Sequence, residues 1–508
     1  MAIALDGSPR PVPLGPGYAL RTPGWRGTAD VHAGGAAATR SAMQGLDDGM
    51  DALDAALRQT QVTETRRIDL SLQPAAGARS AASLRSAQGM AEIELEVPDA
   101  GPDHGQLLLS IDDAGGLRWH LPDRIALPLP GGPSRSTGGI ARFRIPAVVA
   151  SGPAGSAASA SQRSVFGLLG RKLLKVLVYP VTDEITGAAI DFIASHWEAR
   201  KRPYRLRRFS PDDYRSIEAT IPSAAELSAM AAQGPTLLFV HGTFSTAHGG
   251  FGGLPAATMQ ALAQRYGSRV IAFDHPTLSE DPQANVRWLL AQLPASGMAL
   301  DIVCHSRGGL VARTLAEAPA ALGLGARHIE VRRIVLAAVP NNGTLLADPD
   351  HMANMVDRLT TALVLLPSGP VTETLEALIT VVKVLGHGGL KGLDGLASML
   401  PEGRFLDTLN AGGGSPGDYF AIASNYQPTD LGLRGVVSGV ADSVLDQVFG
   451  DAENDLVVPT GGVYQKNGSA RFPLPSERVL LFGATQGVNH TQLFRHPSVS
   501  EKLLSWLS

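Results

Sequence analysis

The sequence predicts an α/β protein with a mostly parallel sheet, preceded by a smaller β-rich domain. From about residue 234 onward, apolar strand-like runs alternate with helical segments over about 270 residues, which is typical of a parallel sheet covered on both faces. Earlier in the chain, residues 62–148 contain five short apolar runs separated by glycine, proline and aspartate, a pattern that indicates antiparallel strands. The 508 residues are enough for about three domains.

The composition excludes several classes of protein. Hydrophobic residues make up 44% of the chain and charged residues 18%, which is not the composition of a disordered protein. The formal net charge of −4 provides no basic field, so we do not expect nucleic acid as a partner. The single cysteine, Cys304, excludes an intrachain disulfide framework and a cysteine-rich metal site.

No targeting or membrane-spanning segment is expected. The beginning, MAIALDGSPRPVPLG, lacks the basic segment and the apolar run of a secretory signal. The apolar stretches 165–180 and 359–386 are interrupted by lysine and by arginine or proline, which argues against a transmembrane helix. We therefore expect a soluble protein in the cytoplasm.

The N-terminal part of the chain is predicted to contain three segments. Residues 1–61 show little periodicity and are expected to be irregular, with one helix near 39–58. Residues 62–148 are the predicted β-rich domain, in which Ile68 and Leu70 belong to one alternating run. Residues 149–164 are rich in serine, alanine and glycine and are predicted to be a linker. The β-rich domain lacks candidate catalytic groups and could bind a protein partner.

Residues 165–215 are predicted to be a helical connector. Leucines and valines in its first half would form a broad apolar helix face. A basic cluster follows, which either binds an anionic partner or, as is more usual, forms a solvated face. This cluster comprises Arg200, Lys201, Arg202, Arg205, Arg207 and Arg208.

The strongest chemical signal lies within the predicted α/β domain, residues 216–508. The segment LDIVCHSRGGL is a buried strand that runs into a helix, with Ser306 at the turn. A serine in this context forms a nucleophile elbow, because the tight turn raises its hydroxyl clear of the sheet. The turn requires small residues on both sides: Gly308 meets this requirement, and Cys304 stands where the usual motif has glycine.

With this elbow the sequence resembles the α/β-hydrolase superfamily, in particular its lipases and esterases, over about residues 234–508. Three further segments follow the order of that family: LFVHGTFS resembles the oxyanion loop, NDLVVPT the segment of the acid, and VNHTQLF the segment of the histidine. The resemblance implies a three-layer α/β-hydrolase fold. It assigns the triad to Ser306, His490 and Asp455, the oxyanion amides to Arg307 and to Thr243 or Phe244, and the shaping of the oxyanion loop to His241 and Gly242.

Some assignments leave alternatives open. His305 and Cys304 are expected to be packing neighbours of the elbow rather than a base and a nucleophile, because adjacent side chains on a strand point to opposite faces. The acid is assigned to Asp455, but other aspartates of the same region compete with it. These are Asp430, Asp446 and Asp451.

The resemblance implies hydrolysis of carboxylic esters through an acyl-enzyme, without a metal or an organic cofactor. Thioesters, amides or acyl transfer are other reactions of the same fold. An alternative of a different class is a partner-binding or regulatory protein that uses the hydrolase fold as a scaffold.

Residues 344–400 interrupt the alternation of strands and helices with long apolar segments. They are predicted to form a helical lid over Ser306, which would favour hydrophobic or lipid-like substrates. The alternative is that these helices only complete a hydrophobic core.

Overall fold

The computed structural model divides the chain into two compact units. The first comprises Met1–Ile193, Ala353–Gly389 and Asp430–Gln447, and the second comprises Ala194–Met352, Leu390–Thr429 and Val448–Ser508. The structure describes residues 2–34, 47–75, 92–112, 116–123, 139–146, 171–181, 193–317, 329–365, 371–386, 392–411, 417–426, 453–465 and 471–508.

The first unit contains two antiparallel sheets. The larger has the strand order β1-β4-β5-β10-β7-β8 and the smaller the order β2-β3-β6-β9. The strands are β1 (Ile3–Asp6), β2 (Val12–Gly15), β3 (Tyr18–Arg21), β4 (Trp25–Ala33), β5 (Thr63–Pro74), β6 (Glu92–Pro98), β7 (His104–Asp112), β8 (Leu117–His120), β9 (Ile140–Pro146) and β10 (Arg171–Pro180).

Alternation of side chains explains how the two sheets form one core. Ile68 and Leu70 of β5 and Leu95 of β6 belong to the same buried apolar cluster, whereas the residues between them point to the opposite face of each strand. On the smaller sheet that opposite face carries charges, and Arg21 lies 2.8 Å from Glu94 on the neighbouring strand. Strands β5 to β9 lie within the range 62–148 that the sequence predicts to be β-rich, and they form sheets together with β1 to β4 and β10.

The segment 1–61 is more regular than predicted, because it contains strands β1 to β4, whereas the helix expected near 39–58 is present as α1 (Asp47–Gln59). Three of these strands have only four residues, which is too short to show a period in the sequence. Buried Leu14 and Leu20 nevertheless belong to the core of the unit.

The helical connector predicted at 165–215 is wrong for its apolar part, because Arg171–Pro180 forms strand β10. This strand pairs with β5 on one side and β7 on the other, so it lies inside the sheet and is buried on both faces. Such a strand is apolar at nearly every position, and its sequence cannot be distinguished from a buried helix by periodicity. The predicted linker 149–164 lies outside the described residues.

The helices of the predicted lid belong mostly to the first unit. Helix α8 (Pro349–Leu365) begins in the second unit, but from Ala353 onward it belongs to the first, as does α9 (Val371–Gly386). Asp357 of α8 accepts a hydrogen bond of 2.7 Å from the Trp119 amide, and Lys383 of α9 donates one of 3.0 Å to the Thr60 carbonyl. These helices therefore pack on strands and helix α1 of the first unit, and the lid over Ser306 stays a prediction.

The second unit contains a seven-stranded sheet in the order β11-β13-β12-β14-β15-β16-β17. All neighbouring strands are parallel except β11 and β13, so the prediction of a mostly parallel sheet is confirmed. The strands are β11 (Arg205–Arg208), β12 (Thr236–Val240), β13 (Val270–Asp274), β14 (Met298–His305), β15 (Ile329–Ala337), β16 (Asp418–Ser424) and β17 (Val479–Phe482).

Helices connect these strands, and the loops that follow the parallel strands all emerge at the same edge of the sheet. None of the helices in the described ranges is long and apolar enough to cross a membrane. The remaining α-helices are α2 (Ile193–Lys201), α3 (Ala224–Gln233), α4 (Ala247–Phe251), α5 (Ala256–Arg265), α6 (Pro282–Gln292), α7 (Gly308–Glu317), α10 (Asp394–Ala397), α11 (Arg404–Asn410) and α12 (Pro497–Trp506).

Candidate active site

Ser306 occupies the turn between strand β14 and helix α7. Its φ of +51° lies in the left-handed region that residues other than glycine rarely adopt. The Ser306 amide donates a hydrogen bond of 2.8 Å to the Ala337 carbonyl at the end of the neighbouring strand. The turn therefore has the strained strand–turn–helix geometry of a nucleophile elbow.

Two glycines allow other parts of the backbone to approach this elbow. A Cβ added to Gly308 would lie 2.4 Å from the carbonyl oxygens of both Val240 and His241, so a side chain at this position would displace the end of strand β12. A Cβ added to Gly242 would lie 2.5 Å from the Cβ of Ser306. The predicted oxyanion loop is therefore packed directly against Ser306.

His490 and Asp455 are held together in the same unit. The His490 Nδ1 lies 2.8 Å from Oδ2 of Asp455, and the His490 amide donates to the Asp455 carbonyl at 3.1 Å. Both side chains are buried. Because a carboxylate only accepts hydrogen bonds, Nδ1 carries the proton and Nε2 is the basic nitrogen.

A tight turn orients the Asp455 carboxylate. Its Oδ1 accepts hydrogen bonds from the amides of Val457 at 3.0 Å and Val458 at 2.8 Å, and the intervening Leu456 has a φ of +89°. Thr344 donates through its hydroxyl to the Val457 carbonyl at 2.6 Å and so ties this turn to the loop after β15. The competing candidates Asp430, Asp446 and Asp451 lie outside the described residues.

His241 fixes the conformation of the oxyanion loop. Its Nε2 accepts a hydrogen bond of 3.2 Å from the His275 amide, so the proton is on Nδ1, which donates to the Gly242 carbonyl at 3.0 Å. Burial lowers the pKa of His241 to about 4, so the ring is neutral at neutral pH. Because carbonyl and amide point in opposite directions across a trans peptide, this contact turns the Thr243 amide away from His241.

Three backbone amides are available to an oxyanion. Within the described part of the chain, the amides of Thr243, Phe244 and Arg307 donate to no backbone or side-chain acceptor. Phe244 has a φ of +61°, which shows that this loop, like the elbow, is held in a strained conformation. Unsatisfied amides beside a nucleophile are the donors that stabilise a tetrahedral intermediate.

The side chain of Arg307 does not take part in this site, because it is fully buried and bonded to protein. Its guanidinium donates to the carbonyl of Gly395 at 2.8 Å, to Oδ1 of Asn285 at 3.1 Å and to the Glu280 carbonyl. Burial lowers the pKa of Arg307 to about 10, and the group remains charged at neutral pH. The side chain of Arg307 therefore anchors the elbow.

Sequence reasoning missed Glu198, which organises the loop next to this anchor. Its buried carboxylate accepts hydrogen bonds from the amides of Thr277, Leu278 and Ser279 at 2.5, 2.9 and 2.8 Å. Glu198 is about 80 residues away from these partners in the sequence, and no local pattern identifies such a contact. Arg202 and Arg207 of the predicted basic cluster are likewise buried and bonded to backbone carbonyls, rather than forming a solvated face.

Apolar side chains border the oxyanion loop. The hydroxyl of Thr243 lies 3.8 Å from the Met399 sulfur, and the Met399 carbonyl accepts a hydrogen bond of 2.9 Å from the Thr344 amide. The next residue, Leu345, leaves 39% of its surface exposed. An apolar group bound beside Thr243 would therefore meet Met399, and Leu345 is an exposed apolar side chain on the loop that Met399 contacts.

The family described as "Domain of unknown function (DUF7379)" matches residues 201–508, which include Ser306, Asp455, His490 and the predicted oxyanion loop. Curated proteins give no match to the chain. With its parallel sheet and its elbow, the second unit has an α/β-hydrolase-like fold.

Several solved structures are similar to the chain at low identity. Phospholipase PlaB from Legionella pneumophila is 13% identical, with a TM-score of 0.29, over 46% of this chain and 49% of that chain. The match thus spans about half the length of the phospholipase. Lipase 1 from Pelosinus fermentans is 13% identical over 53% and 98% of the two chains, with a TM-score of 0.35. An esterase from Pyrococcus furiosus is 16% identical over 54% of this chain and 82% of that chain, with a TM-score of 0.25.

Proposed function

The chain belongs to the DUF7379 family, and from the geometry of its site we propose that it is a serine hydrolase of carboxylic esters. The observation that carries this proposal is the 2.8 Å hydrogen bond between His490 and Asp455 in the unit that holds Ser306 at an elbow. In a catalytic triad, an imidazole that is oriented by a carboxylate activates a serine hydroxyl for attack on a carbonyl.

The first half of the reaction forms an acyl-enzyme. Ser306 Oγ attacks the carbonyl carbon of the ester, and His490 Nε2 accepts the hydroxyl proton. Asp455 keeps Nε2 unprotonated beforehand and stabilises the imidazolium that forms. The tetrahedral intermediate then collapses, the bond to the alcohol oxygen breaks, and His490 returns its proton to the leaving alcohol.

The negative charge of the intermediate develops on the former carbonyl oxygen. The amides of Arg307 and of Thr243 or Phe244 donate to it. His241 turns the Thr243 amide away from its own ring, and this supports Thr243 as the second donor. Because the amides are held in place before the reaction, no reorganisation is needed when the charge appears.

Water completes the cycle. His490 removes a proton from water, the hydroxide attacks the acyl carbon, and Ser306 leaves with the proton that His490 held. The products are a carboxylic acid and the regenerated enzyme. All protein groups that act in the two half-reactions belong to this chain.

We propose hydrophobic acyl groups as the preferred substrates, including lipid-like esters. Met399 contacts the oxyanion loop, and Leu345 is an exposed apolar side chain on the neighbouring loop. Burial of apolar surface contributes about 0.8 kcal/mol for each methylene group that leaves water. This proposal rests on these two side chains and does not require a lid.

Labelling with a fluorophosphonate probe tests the proposal, because the probe reacts with an activated serine and releases fluoride. We expect the full-length chain to be labelled and Ser306→Ala to be unlabelled. Ser228→Ala removes an exposed helical serine that bonds only to the Ala224 carbonyl, and this control should be labelled like the parent chain. Labelling that persists in Ser306→Ala would overturn the assignment, and absence of labelling in the parent chain would favour a binding protein.

A further inference from the structure

His305 is the last residue of strand β14 and directly precedes Ser306. Its Nε2 donates a hydrogen bond of 2.9 Å to the main-chain carbonyl of His490. The two imidazole rings lie 4.7 Å apart between centroids, and Phe494 packs edge-on against His305 at 5.7 Å. His305 thus contacts both the main chain and the ring of His490.

The protonation of His305 follows from these contacts. A carbonyl only accepts, so Nε2 carries the proton. Burial lowers the pKa of His305 to about 3, so the ring is neutral at neutral pH. The other nitrogen, Nδ1, is buried and has no hydrogen-bond partner within the described part of the chain. It is not bonded to the Ser306 hydroxyl, and His305 is therefore not a second base for this serine.

His490 is held at three points, and His305 provides one of them. Asp455 accepts from the His490 ring at 2.8 Å and from the His490 amide at 3.1 Å. The carbonyl of His490 is bound by His305 alone among the described residues. Without that donor the carbonyl would remain buried and unsatisfied, which is unfavourable enough to shift the loop.

We propose that His305 is a positioning residue that sets the distance between Ser306 and His490. This inference rests on the proposed function and deepens it. Because His305 and Ser306 are adjacent in the chain, the hydrogen bond ties the strand of the nucleophile directly to the loop of the base. Proton transfer between Oγ and Nε2 depends on that distance, and a displacement of about 1 Å can reduce a rate by about 10²-fold.

Two substitutions separate hydrogen bonding from packing. His305→Phe keeps an aromatic ring beside His490 and Phe494 but removes the donor, whereas His305→Gln keeps an N–H at a similar reach. His496→Phe serves as the control for loss of a histidine in the same unit, since His496 only caps helix α12 and packs on Phe482. Its kcat should equal that of the parent chain.

The kinetic measurement uses the full-length chain with p-nitrophenyl butyrate. We expect His305→Phe to reduce kcat by about 10²-fold with KM within about twofold, and His305→Gln to recover at least one tenth of the parent kcat. Equal losses in the two variants, unchanged kcat in His305→Phe, or an effect confined to KM would overturn the proposal. Circular dichroism and melting temperature show whether each variant is folded.

A proton NMR readout keeps the test independent of esterase activity. The Nδ1 proton of His490 should give a downfield resonance that disappears in Asp455→Asn. We expect this resonance to broaden or vanish in His305→Phe and to persist in His305→Gln. A parent chain without esterase activity would contradict the proposed function, whereas an unchanged resonance in His305→Phe would contradict the positioning role.

Discussion

Each unit of the molecule contains a buried serine, Ser110 in the first and Ser306 in the second, and the two serines have different surroundings. In the first unit Ser110 lies 2.8 Å from Nε2 of His120. Ser110 lies within strand β7, and no carboxylate is hydrogen-bonded to His120 within the described part of the chain. Burial, and to a smaller extent the charge of Lys172, lowers the pKa of His120 to about 3. In the second unit Ser306 lies on a strained turn, and His490 of the same unit is hydrogen-bonded to Asp455.

Sheet topology explains the difference between the surroundings of the two serines. Antiparallel strands end alternately at both edges of a sheet, so a buried polar group pairs with whatever lies on the neighbouring strand. Parallel strands all end at one edge, and their loops bring residues from distant parts of the chain together there. A hydrogen bond between serine and histidine is therefore weak evidence of catalysis, and the elbow, the acid and the free amides are the stronger evidence.

Replacing the two serines is expected to give the largest contrast. Ser306→Ala should reduce kcat by about 10⁴-fold or more, because loss of the nucleophile removes the covalent route. Ser110→Ala should leave kcat unchanged and only lower the melting temperature. Steady-state hydrolysis of p-nitrophenyl butyrate measures both, and a loss of activity in Ser110→Ala would show that the comparison between the units is wrong.

Replacing an aspartate in each unit is expected to give the next largest difference in kcat between the two units. Asp455→Asn should reduce kcat by about 10³-fold, because an amide no longer favours the tautomer with a basic Nε2. Asp54 in the first unit lies 2.8 Å from Lys175, and Asp54→Asn should change only stability. If Asp455→Asn kept most of the parent kcat, the acid would have to be sought among Asp430, Asp446 and Asp451.

Acidification is expected to destabilise both units. Burial lowers the pKa of His120 to about 3, of His241 to about 4 and of His305 to about 3, whereas the unfolded chain protonates histidine near pH 6.5. The unfolded state then binds more protons, so the free energy of unfolding falls as pH decreases below about 6.5.

Each such histidine lowers the free energy of unfolding by up to about 1.4 kcal/mol for each unit by which the pH falls in this range. Urea denaturation between pH 6.5 and 5 should show this slope, and His120→Gln should reduce it by the contribution of one histidine. A free energy of unfolding that stayed constant or rose over this interval would contradict the assignment of neutral, buried rings.

Exposed apolar side chains should give the smallest contrast. Leu345→Asp in the second unit is expected to reduce kcat/KM for octanoate esters about threefold to tenfold, and for acetate esters less than twofold, because only a long acyl chain reaches it. Ile140 in the first unit is similarly exposed, at 44%, and Ile140→Asp is the matched control. Equal effects of Leu345→Asp on both esters would argue against an acyl chain bound there.

The sequence predicts the second unit better than the first, for a physical reason. The elbow around Ser306 depends on local requirements, namely a buried strand, a tight turn and Gly308, and such requirements leave a recognisable pattern. Strand β10 could not be identified in this way, because burial on both faces removes its alternation. The four-residue strands β1 to β3 are too short to show a period.

Long-range contacts are the second kind of feature that the sequence does not predict. The helices in 344–400 are amphipathic, and the sequence shows that an apolar face must be buried without showing where. The bond between Glu198 and the loop at Thr277, and that between His305 and the His490 carbonyl, join residues about 80 and 185 positions apart. Only the folded chain reveals these contacts, whereas local patterns together with the family resemblance predict the residues of the proposed triad.

The most direct measurement is to identify the residue that carries the acyl group during turnover. The full-length chain would be mixed with a p-nitrophenyl ester, quenched in acid within milliseconds and digested with trypsin. We expect the acyl mass on the peptide that runs from Trp288 to Arg307, with fragment ions that assign it to Ser306, and we expect it to accumulate less in His490→Ala. An acyl group on any other residue, or steady-state turnover without any covalent adduct, would contradict the proposed mechanism.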